Sequence, residues 1–411
     1  MEAALVKRVF VARQPIFDIN KGVHAYELLF RSGLENYYRS TNPDASTLGV
    51  ISSMFVEIGL DELTGGRPAF INFTRNLLLD DVASLLSPDL VTIEILEDVA
   101  ADEEVLQACR KLKDSGFRLA LDDFVLAHSG NPLLDVADIV KVDFAGTMPE
   151  DRRRIVEDLA SRRIVPLAEK VETQEEFAEA AQAGFTYFQG YFFSKPSIRQ
   201  GKALMSTKLA HLRMMEQLNR PEISIDELER IVKQDVPLSY KLLRFISSAW
   251  FGLRHQITSV RHALTWLGSR EIRKWYYLVC LRDMGCDKPG ELLVRALTRA
   301  RMAEALAQHV GMPRQAQELF LAGMFSLVDV LLDTPMPELV DRLPLSQEIK
   351  SALVGQPSPM RQVLDLLTAY ERADWDAFAA QAASLRLNAD LVPDIFRKSL
   401  KWATEAYRNI E

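Results

Sequence analysis

The chain has 411 residues, of which 48% are hydrophobic and 26% are charged, and this composition indicates a globular protein with room for two or three domains. Its net charge of −8 is uneven, because residues 1–198 hold 20 Lys and Arg against 32 Asp and Glu, whereas the remainder holds 29 against 25. The slight positive excess of the second half is too weak to indicate nucleic-acid binding.

The sequence carries no pattern that indicates export or insertion into a membrane. No apolar run approaches the roughly 20 residues that a membrane-spanning helix needs. The first residues lack the arrangement of an export signal. Cys109, Cys280 and Cys286 have neither metal-binding nor redox spacing, and their odd number argues against a disulfide framework. We therefore expect a cytoplasmic protein that makes no membrane contact.

Short apolar runs and helical patterns alternate along the first half of the chain. The predicted strands are Val9–Arg13, which Gln14-Pro15 is expected to end, followed by His24–Arg31, Ala69–Phe73, Val91–Ile95, Phe117–Leu121, Ile139–Asp143, Ile164–Glu169 and Thr186–Gln189. The predicted helices between them are Asp44–Ile58, Asp102–Ser115, Pro149–Arg163 and Thr173–Ala183. Strands and helices that alternate at this spacing predict a parallel α/β fold.

Polar side chains collect at the carboxyl ends of these strands. The apolar run before Asp122 and Asp123 ends in two adjacent carboxylates, which repel each other unless a cation lies between them or one is protonated. Polar residues at several strand ends are typical of the active face of a barrel. The alternative is that these carboxylates cap helices, and we expect Asp102 to do so.

The residue types at these ends suit a divalent cation. Oxygen ligands of the kind that Mg²⁺ or Mn²⁺ prefers are offered by Glu27, Asn72, Glu94, Asp122 and Asp123. Lys141 could orient a water molecule beside them, and Glu169 could accept its proton. Two cations bridged by carboxylates are a standard arrangement for attack on a phosphodiester. The sequence thus predicts a metal-dependent phosphodiesterase site.

The chain after residue 199 has a different sequence pattern, in which helix signals replace strand signals. Three serines stand where a helix N-cap is expected, each followed by an apolar pattern of helical period: Ser224, Ser259 and Ser346. Three glycines stand at expected helix ends: Gly268, Gly311 and Gly355. Because strand signals are nearly absent here, we predict a barrel domain over 1–198 and an all-α domain over 199–411.

Residues 9–198 resemble the EAL domain family, which consists of cyclic di-GMP phosphodiesterases with a modified TIM-like (β/α)8 barrel. The segments that carry the resemblance are Glu27-Leu-Leu-Phe-Arg31, Ile71-Asn72-Phe-Thr, Ile93-Glu94-Ile-Leu-Glu97, Asp122-Asp123-Phe124, Lys141-Val-Asp143, Glu169-Lys-Val-Glu172 and Gln189-Gly-Tyr, with Lys195-Pro196 after the last of them. Seven motifs in the family's order make a chance match improbable.

The resemblance implies a role for each matched residue. It implies Mg²⁺ or Mn²⁺ as cofactor, with Glu27, Asn72, Glu94, Asp122 and Asp123 as ligands. It implies that Lys141 assists the catalytic water, that Glu169 is the base, and that Glu172 belongs to the same catalytic segment. It implies nucleotide-binding positions at Arg31, Asp143 and Gln189.

The chain departs from the family pattern at two points near the expected site. Residues 125–129 follow Asp122-Asp123-Phe124 without the family's glycines, which would permit backbone conformations that Val and Leu resist. In the family, this loop couples dimer contacts to metal and substrate binding. Lys170 replaces the glycine after Glu169, so its ammonium either pairs with the metal-site carboxylates and competes with a cation or points outward. We therefore expect weak or absent catalysis.

The second half resembles the HDOD domain, a helical relative of the HD hydrolases that lacks their metal site. The resemblance is clearest over 231–246, 249–252 and 259–268. Where a hydrolytic relative would carry an adjacent His-Asp pair, this chain has Ser326-Leu327, so we expect no metal here. His255, His262 and His309 are interpreted as structural or surface residues. The aromatic residues of 250–277 are interpreted as core, with a partner-binding patch as the alternative.

Three functions are consistent with this sequence. The favoured hypothesis is a signalling protein whose degenerate EAL barrel senses cyclic di-GMP or a partner and whose HDOD domain relays the signal through protein contacts. The second is an active phosphodiesterase that opens cyclic di-GMP to linear pGpG, and the third is a scaffold without ligand. Pairing of barrels in relatives makes a homodimer an expectation by analogy.

Overall fold

The structure is a computed structural model that describes residues 9–32, 60–80, 82–124, 130–194, 224–234, 259–286 and 288–410, together with positions 215, 238, 241, 242 and 246. Several predicted features lie outside these residues: the helix over 44–58, the loop 125–129, Lys195-Pro196, the segment 249–252 and His255. The chain divides into two compact units, which are Met1–Lys195 with Thr368–Arg397, and Pro196–Leu367 with Lys398–Glu411.

Eight strands of the described first unit close into a barrel. They are β1 (Val9–Phe17), β2 (Val23–Ser32), β3 (Ala69–Phe73), β4 (Val91–Ile95), β5 (Arg118–Leu121), β6 (Ile139–Asp143), β7 (Val165–Glu169) and β8 (Tyr187–Gln189). Strand β1 is antiparallel to both of its neighbours, and the other adjacent strands are parallel. The predicted α/β barrel followed by an all-α region is confirmed.

The helices of the first unit begin where the sequence offers caps. Before residue 195 they are α1 (Leu60–Thr64), α2 (Arg75–Leu79), α3 (Glu103–Asp114), α4 (Pro149–Ser161) and α5 (Gln174–Ala183). The Asp102 carboxylate accepts the Val105 N–H at 3.0 Å, so Asp102 caps α3 as predicted. Thr173 and Glu176 form a reciprocal capping box at the start of α5.

An apolar layer from six strands fills the barrel interior. Its buried members are Ile16, Ala25, Phe70, Ala120, Ile139 and Leu167, against which Val165 and Tyr187 pack. Side chains two residues apart in a strand point to the same face. The residue two positions further along each parallel strand therefore also faces the interior, at the next level toward the carboxyl ends.

Strand β1 does not end at Gln14-Pro15, so that expectation is wrong. Pro15 pairs with Tyr26 of β2, and β1 continues to Phe17. Tyr26 donates its backbone N–H to the carbonyl of Pro68 at 3.0 Å, on the side away from β1. Pro15 and Tyr26 therefore form a pair without mutual hydrogen bonds, in which the missing N–H of proline removes no bond.

The described part of the chain after residue 223 is helical. The helices after residue 223 are α6 (Ile225–Gln234), α7 (Val260–Met284), α8 (Gly290–Leu306), α9 (Ala316–Phe325), α10 (Val328–Leu332), α11 (Met336–Leu339), α12 (Gln347–Leu353), α13 (Pro359–Glu371), α14 (Trp375–Ser384) and α15 (Val392–Ile410). Ser224, Ser259 and Ser346 each cap a helix as predicted. None of the described helices has the length and apolar character that crossing a membrane requires.

Gly268 interrupts α7 and does not end it. Its φ of 74° is left-handed, whereas the helix resumes beyond it and continues to Met284 after a kink. The predicted stop at Gly268 is therefore a break within one longer element.

Residues Thr368–Arg397 belong to the barrel unit, whereas the sequence-based division assigned them to the second domain. The Tyr370 hydroxyl donates a hydrogen bond to the Val11 carbonyl of β1 at 2.9 Å. The ring of Phe10, on the same strand, contacts Trp375 and Phe378 at centroid distances of 6.0 and 5.9 Å. These contacts join residues far apart in sequence, which explains why local patterns placed the segment elsewhere.

Replacing Tyr370 with Phe tests this contact. The substitution leaves the buried Val11 carbonyl without the donated hydrogen bond, and an unsatisfied buried group typically costs about 1–3 kcal/mol. We expect a decrease of that size in the free energy of opening of β1, measured by hydrogen exchange. Tyr187→Phe, at a half-buried tyrosine of β8, is the control and is expected to cost less. An equal, negligible effect of both substitutions would contradict the assigned contact.

Candidate active site

A layer of polar side chains lies one level above the apolar layer of the barrel. Its members are Glu27, Asn72, Glu94, Asp122, Lys141, Glu169 and Gln189, and all but Glu94 follow a residue of the apolar layer by two positions. Strand registry places Glu94 with them, since Asn72 lies opposite Glu94 in the pairing of β3 with β4. The predicted site residues from six strands and from the end of β5 therefore lie together at one rim of the barrel, the end at which the parallel strands have their carboxyl termini.

The ammonium of Lys141 is the centre of this layer. Its Nζ lies 2.7 Å from Glu169 Oε1, 3.0 Å from Asp122 Oδ1 and 3.3 Å from Glu27 Oε2, and it also contacts Glu94 Oε1. The side chain of Lys141 is 1% exposed and that of Glu94 is fully buried. One buried cation therefore contacts four carboxyl groups that come from four different strands or strand ends.

Side-chain amides complete the layer. The Asn72 Nδ2 atom donates to Glu27 Oε1 at 3.2 Å, and Gln189 Nε2 donates to Glu27 Oε2 at 2.6 Å. The same Gln189 amide donates to Gln14 Oε1 at 3.1 Å. Sequence reasoning missed Gln14, although its position two residues before the interior residue Ile16 would have indicated it once β1 was known to continue through Pro15.

Burial and charge shift the ionisation of the central groups. Burial, followed by the charge of Glu27, raises the pKa of Glu94 well above its ordinary value. Burial likewise raises the pKa of Glu169 to about 7, although Lys141 opposes the shift. Burial alone would lower the pKa of Lys141, but the surrounding carboxylates raise it well above its usual range. Lys141 therefore stays positively charged, whereas Glu169 can exchange a proton near neutral pH.

Some polar atoms of this layer lack a hydrogen-bond partner among the described residues. They are Glu94 Oε2, Asn72 Oδ1 and Gln189 Oε1, all buried. Buried acceptors without a donor are unfavourable, and they mark positions where a bound group can contact the protein. Carboxylate and amide oxygens are the donor set that Mg²⁺ and Mn²⁺ prefer, so these residues fit a divalent cation.

A second group of charges shares Asp122 and Glu169 with the buried layer and adds the more exposed Asp123 and Lys170. Asp122, Asp123 and Glu169 offer carboxylate oxygens that all lie within 4.8 Å of one another. The Lys170 Nζ atom lies 2.7 Å from Asp143 Oδ2 and 3.4 Å from Asp123 Oδ1. Of the two orientations considered for Lys170, the structure shows the one that pairs with carboxylates of the predicted site.

Two predicted residues lie apart from the buried layer. Arg31, four residues beyond Glu27 on β2, forms an ion pair with Asp376 at 3.5 Å. The Glu172 side chain is exposed, and its backbone N–H donates to Glu176 near the start of α5. The roles of both residues in nucleotide binding or catalysis stay predictions.

The helical unit carries a different arrangement at Ser326. The Ser326 hydroxyl donates to the Gly323 carbonyl at 2.7 Å and accepts from Arg299 Nη1 at 3.0 Å. Burial raises the pKa of Asp329, three residues further on. The hydrogen bonds of Ser326 join the end of α9 to Arg299 of α8, and His262 and His309 are exposed. The expected lack of a metal site in this unit stays a prediction.

The fold and the site together define the class of protein. The EAL domain model matches residues 51–196, and the HDOD domain model matches residues 205–350. The chain belongs to the family of proteins that join an EAL domain to an HDOD domain.

Two curated relatives align over almost the whole chain. One is the uncharacterized protein YuxH of Bacillus subtilis, 35% identical over 96% of this chain and 98% of its own length. The other is the cyclic di-GMP phosphodiesterase CdgJ of Vibrio cholerae, 34% identical over 98% of this chain and 94% of its own length. Among solved structures, a complex of Klebsiella pneumoniae BlrP1 with manganese and cyclic di-GMP is 25% identical over 47% of this chain and 57% of that chain, with a TM-score of 0.39.

Replacing Lys141 with Met tests how far the barrel depends on its buried ammonium. The substitution removes the cation that contacts four carboxyl groups, and breaking a buried ion pair typically costs about 3–5 kcal/mol. We expect a decrease of that size in the free energy of opening of β4 and β6 at pH 8, measured by hydrogen exchange.

The same variant should show a weaker loss at pH 5. A carboxyl whose pKa is raised in the folded state stabilises the fold while it holds a proton, and that contribution is lost as the pH rises from 4.5 to about 7 for Glu169. Protonated carboxyls need no counter-ion, so removing Lys141 costs less at low pH. Lys113→Met, which breaks the partly exposed pair with Asp138, is the control and should cost about 0–1 kcal/mol. Equal losses in both variants at pH 8 would contradict the central role of Lys141.

Proposed function

We propose that the barrel is a metal-dependent phosphodiesterase that opens cyclic di-GMP to linear pGpG. The observation that carries this proposal is the convergence of Lys141 and Glu169 with the oxygen groups of Glu27, Glu94 and Asp122 in one buried layer. An ammonium, a carboxyl that titrates near neutral pH and a set of hard oxygen ligands are the groups that metal-assisted phosphodiester hydrolysis requires.

The proposed cofactor is Mg²⁺ or Mn²⁺. Its ligands would be Glu27, Asn72, Glu94, Asp122 and Asp123, and the unpartnered oxygens of Glu94 and Asn72 support this assignment. When bound, such a cation neutralises phosphate charge and makes a water molecule more acidic.

Glu169 and Lys141 would handle the attacking water. Glu169 accepts a proton from that water, a role that suits a carboxyl with a pKa of about 7. Lys141, which stays protonated, can donate a hydrogen bond to the water oxygen but cannot accept its proton. The water oxygen forms a new bond to phosphorus, the bond from phosphorus to one ribose oxygen breaks, and that oxygen leaves and is protonated. One water molecule is consumed per ring opened.

The likeness to CdgJ supports this proposal, since that protein is named a cyclic di-GMP phosphodiesterase and aligns over 98% of this chain. The sequence-based preference for a non-catalytic barrel rested on residues 125–129, which lie outside the described residues, and on Lys170. The contacts of Lys141 with Glu27, Glu94, Asp122 and Glu169 support hydrolysis.

The second candidate function is a receptor that binds cyclic di-GMP without opening it. The observation that favours it is Lys170, whose ammonium pairs with Asp143 and Asp123 at the proposed metal site. In either case we propose that the HDOD unit relays the state of the barrel through protein contacts. A cytoplasmic location and a homodimer stay predictions.

Replacing Glu169 with Gln tests the proposed hydrolysis. The amide keeps the shape of the side chain but cannot accept a proton, and the loss of a general base typically lowers a rate by about 10²–10⁴-fold. We expect that decrease in the formation of linear pGpG from cyclic di-GMP in the presence of Mn²⁺, measured by chromatography.

Glu175→Gln, an exposed carboxylate on α5, is the matched control and should keep the rate of the unmodified protein. Calorimetry with cyclic di-GMP and Mn²⁺ separates the remaining outcomes. Binding without turnover in the unmodified protein would favour the receptor, and a flat titration with no turnover would exclude both functions.

A further inference from the structure

Lys170 lies where a second cation would have to bind. It follows Glu169 directly, and its ammonium contacts Asp123, which belongs to the group of three carboxylates whose oxygens lie within 4.8 Å of one another. Its other partner is Asp143, whose second carboxylate oxygen accepts the Gly146 N–H at 2.8 Å. Asp143 is therefore held by the backbone and offers a fixed anchor for the ammonium.

We infer that Lys170 is a tethered cation at the outer metal position, which a second divalent cation must displace from Asp123 before it can bind beside Asp122 and Glu169. This inference rests on the proposed metal-dependent function. It adds that Lys170 weakens the binding of the outer cation and leaves the binding of the inner cation unchanged. The inner position lies among Glu27, Asn72, Glu94 and Asp122. Because Glu27 and Glu94 are buried whereas Lys170 is exposed, the effect should be confined to the outer position.

The local charges support competition with a cation over recruitment of an anion. Lys170 contacts two carboxylates, Asp143 at 2.7 Å and Asp123 at 3.4 Å, so its positive charge is already matched. A lysine ammonium carries its positive charge at neutral pH. A fixed charge of like sign a few ångströms away weakens cation binding, and more so for a dication than for a single charge.

The exposure of the side chain makes the displacement feasible. Lys170 is 55% exposed, whereas Lys141 is 1% exposed among its carboxylates. Moving the Lys170 ammonium into water costs little, because partly exposed ion pairs contribute about 0–1 kcal/mol. Lys141 has no comparable path to water, so it would remain beside a cation at the inner position.

The backbone at Lys170 decides which substitution gives a clean test. Lys170 has a φ of 55°, and Asp123 has a φ of 43°, both in the left-handed region that glycine favours. Lys170→Gly would therefore remove the charge and relieve backbone strain at once. Lys170→Met removes the charge and keeps a side chain of similar length, and Lys170→Arg keeps the charge.

The experiment is a titration of the full chain with Mn²⁺ alone, followed by calorimetry and by the electron paramagnetic resonance signal of free Mn²⁺. We expect two ions per chain, with the weaker one bound up to about fivefold more tightly by Lys170→Met than by the unmodified protein, the factor that corresponds to about 1 kcal/mol for a partly exposed ion pair. The tighter ion should keep its affinity. Lys170→Arg should retain weak outer binding, and Lys113→Met, which removes one positive charge at Asp138, should leave both affinities unchanged.

The outcomes separate this inference from the proposed hydrolysis, because no nucleotide is present. An outer affinity that is the same in Lys170→Met and the unmodified protein would overturn the inference, as would a single ion in every variant. A tighter second ion in Lys170→Met supports it even if the protein fails to open cyclic di-GMP. A circular dichroism spectrum and unfolding midpoint like those of the unmodified protein show that each variant is folded.

Discussion

The site depends on one interaction, the contact of the buried Lys141 ammonium with Glu27, Glu94, Asp122 and Glu169. Four carboxyl groups this close would repel one another in a protein interior, and each would be costly to bury alone. The ammonium offsets part of that repulsion, and the raised pKa of Glu94 and Glu169 offsets more through protonation. The folded barrel therefore holds a dense set of carboxyl groups close together.

The same strands build the core and the site, because a strand places alternate side chains on one face. Phe70 and Asn72 on β3, like Ile139 and Lys141 on β6, are consecutive interior positions, one packed in the apolar layer and the next at the polar rim. A shift of one residue in strand register would turn the apolar and the polar interior side chains of that strand to the opposite face together. The packing of the core therefore fixes the geometry of the proposed ligands.

Sequence reasoning predicted what is local and missed what is long-range. The strands and their polar ends follow from apolar runs of strand length, and caps such as Asp102 follow from residue type, so these could be read directly from the chain. The continuation of β1 through Pro15 depends on which side of β2 the Tyr26 N–H faces, and the packing of Tyr370 on Val11 joins residues 359 positions apart. No local pattern contains that information. For Lys170, the sequence identified the residue but left its direction open, since a long side chain has many rotamers and its choice depends on Asp143.

The balance of charge at the rim explains why a nucleotide ligand would require added cations. Glu27, Glu94, Asp122 and Glu169 surround Lys141, while Asp123 and Asp143 share Lys170. Even with Glu94 and Glu169 protonated, the remaining carboxylates outnumber the two ammonium groups, and a phosphodiester would be repelled. Bound divalent cations would offset this excess of negative charge at the positions they occupy. Because Lys141 is buried and Lys170 is exposed, Lys141 would stay beside a bound inner cation, whereas Lys170 would be displaced by an outer one.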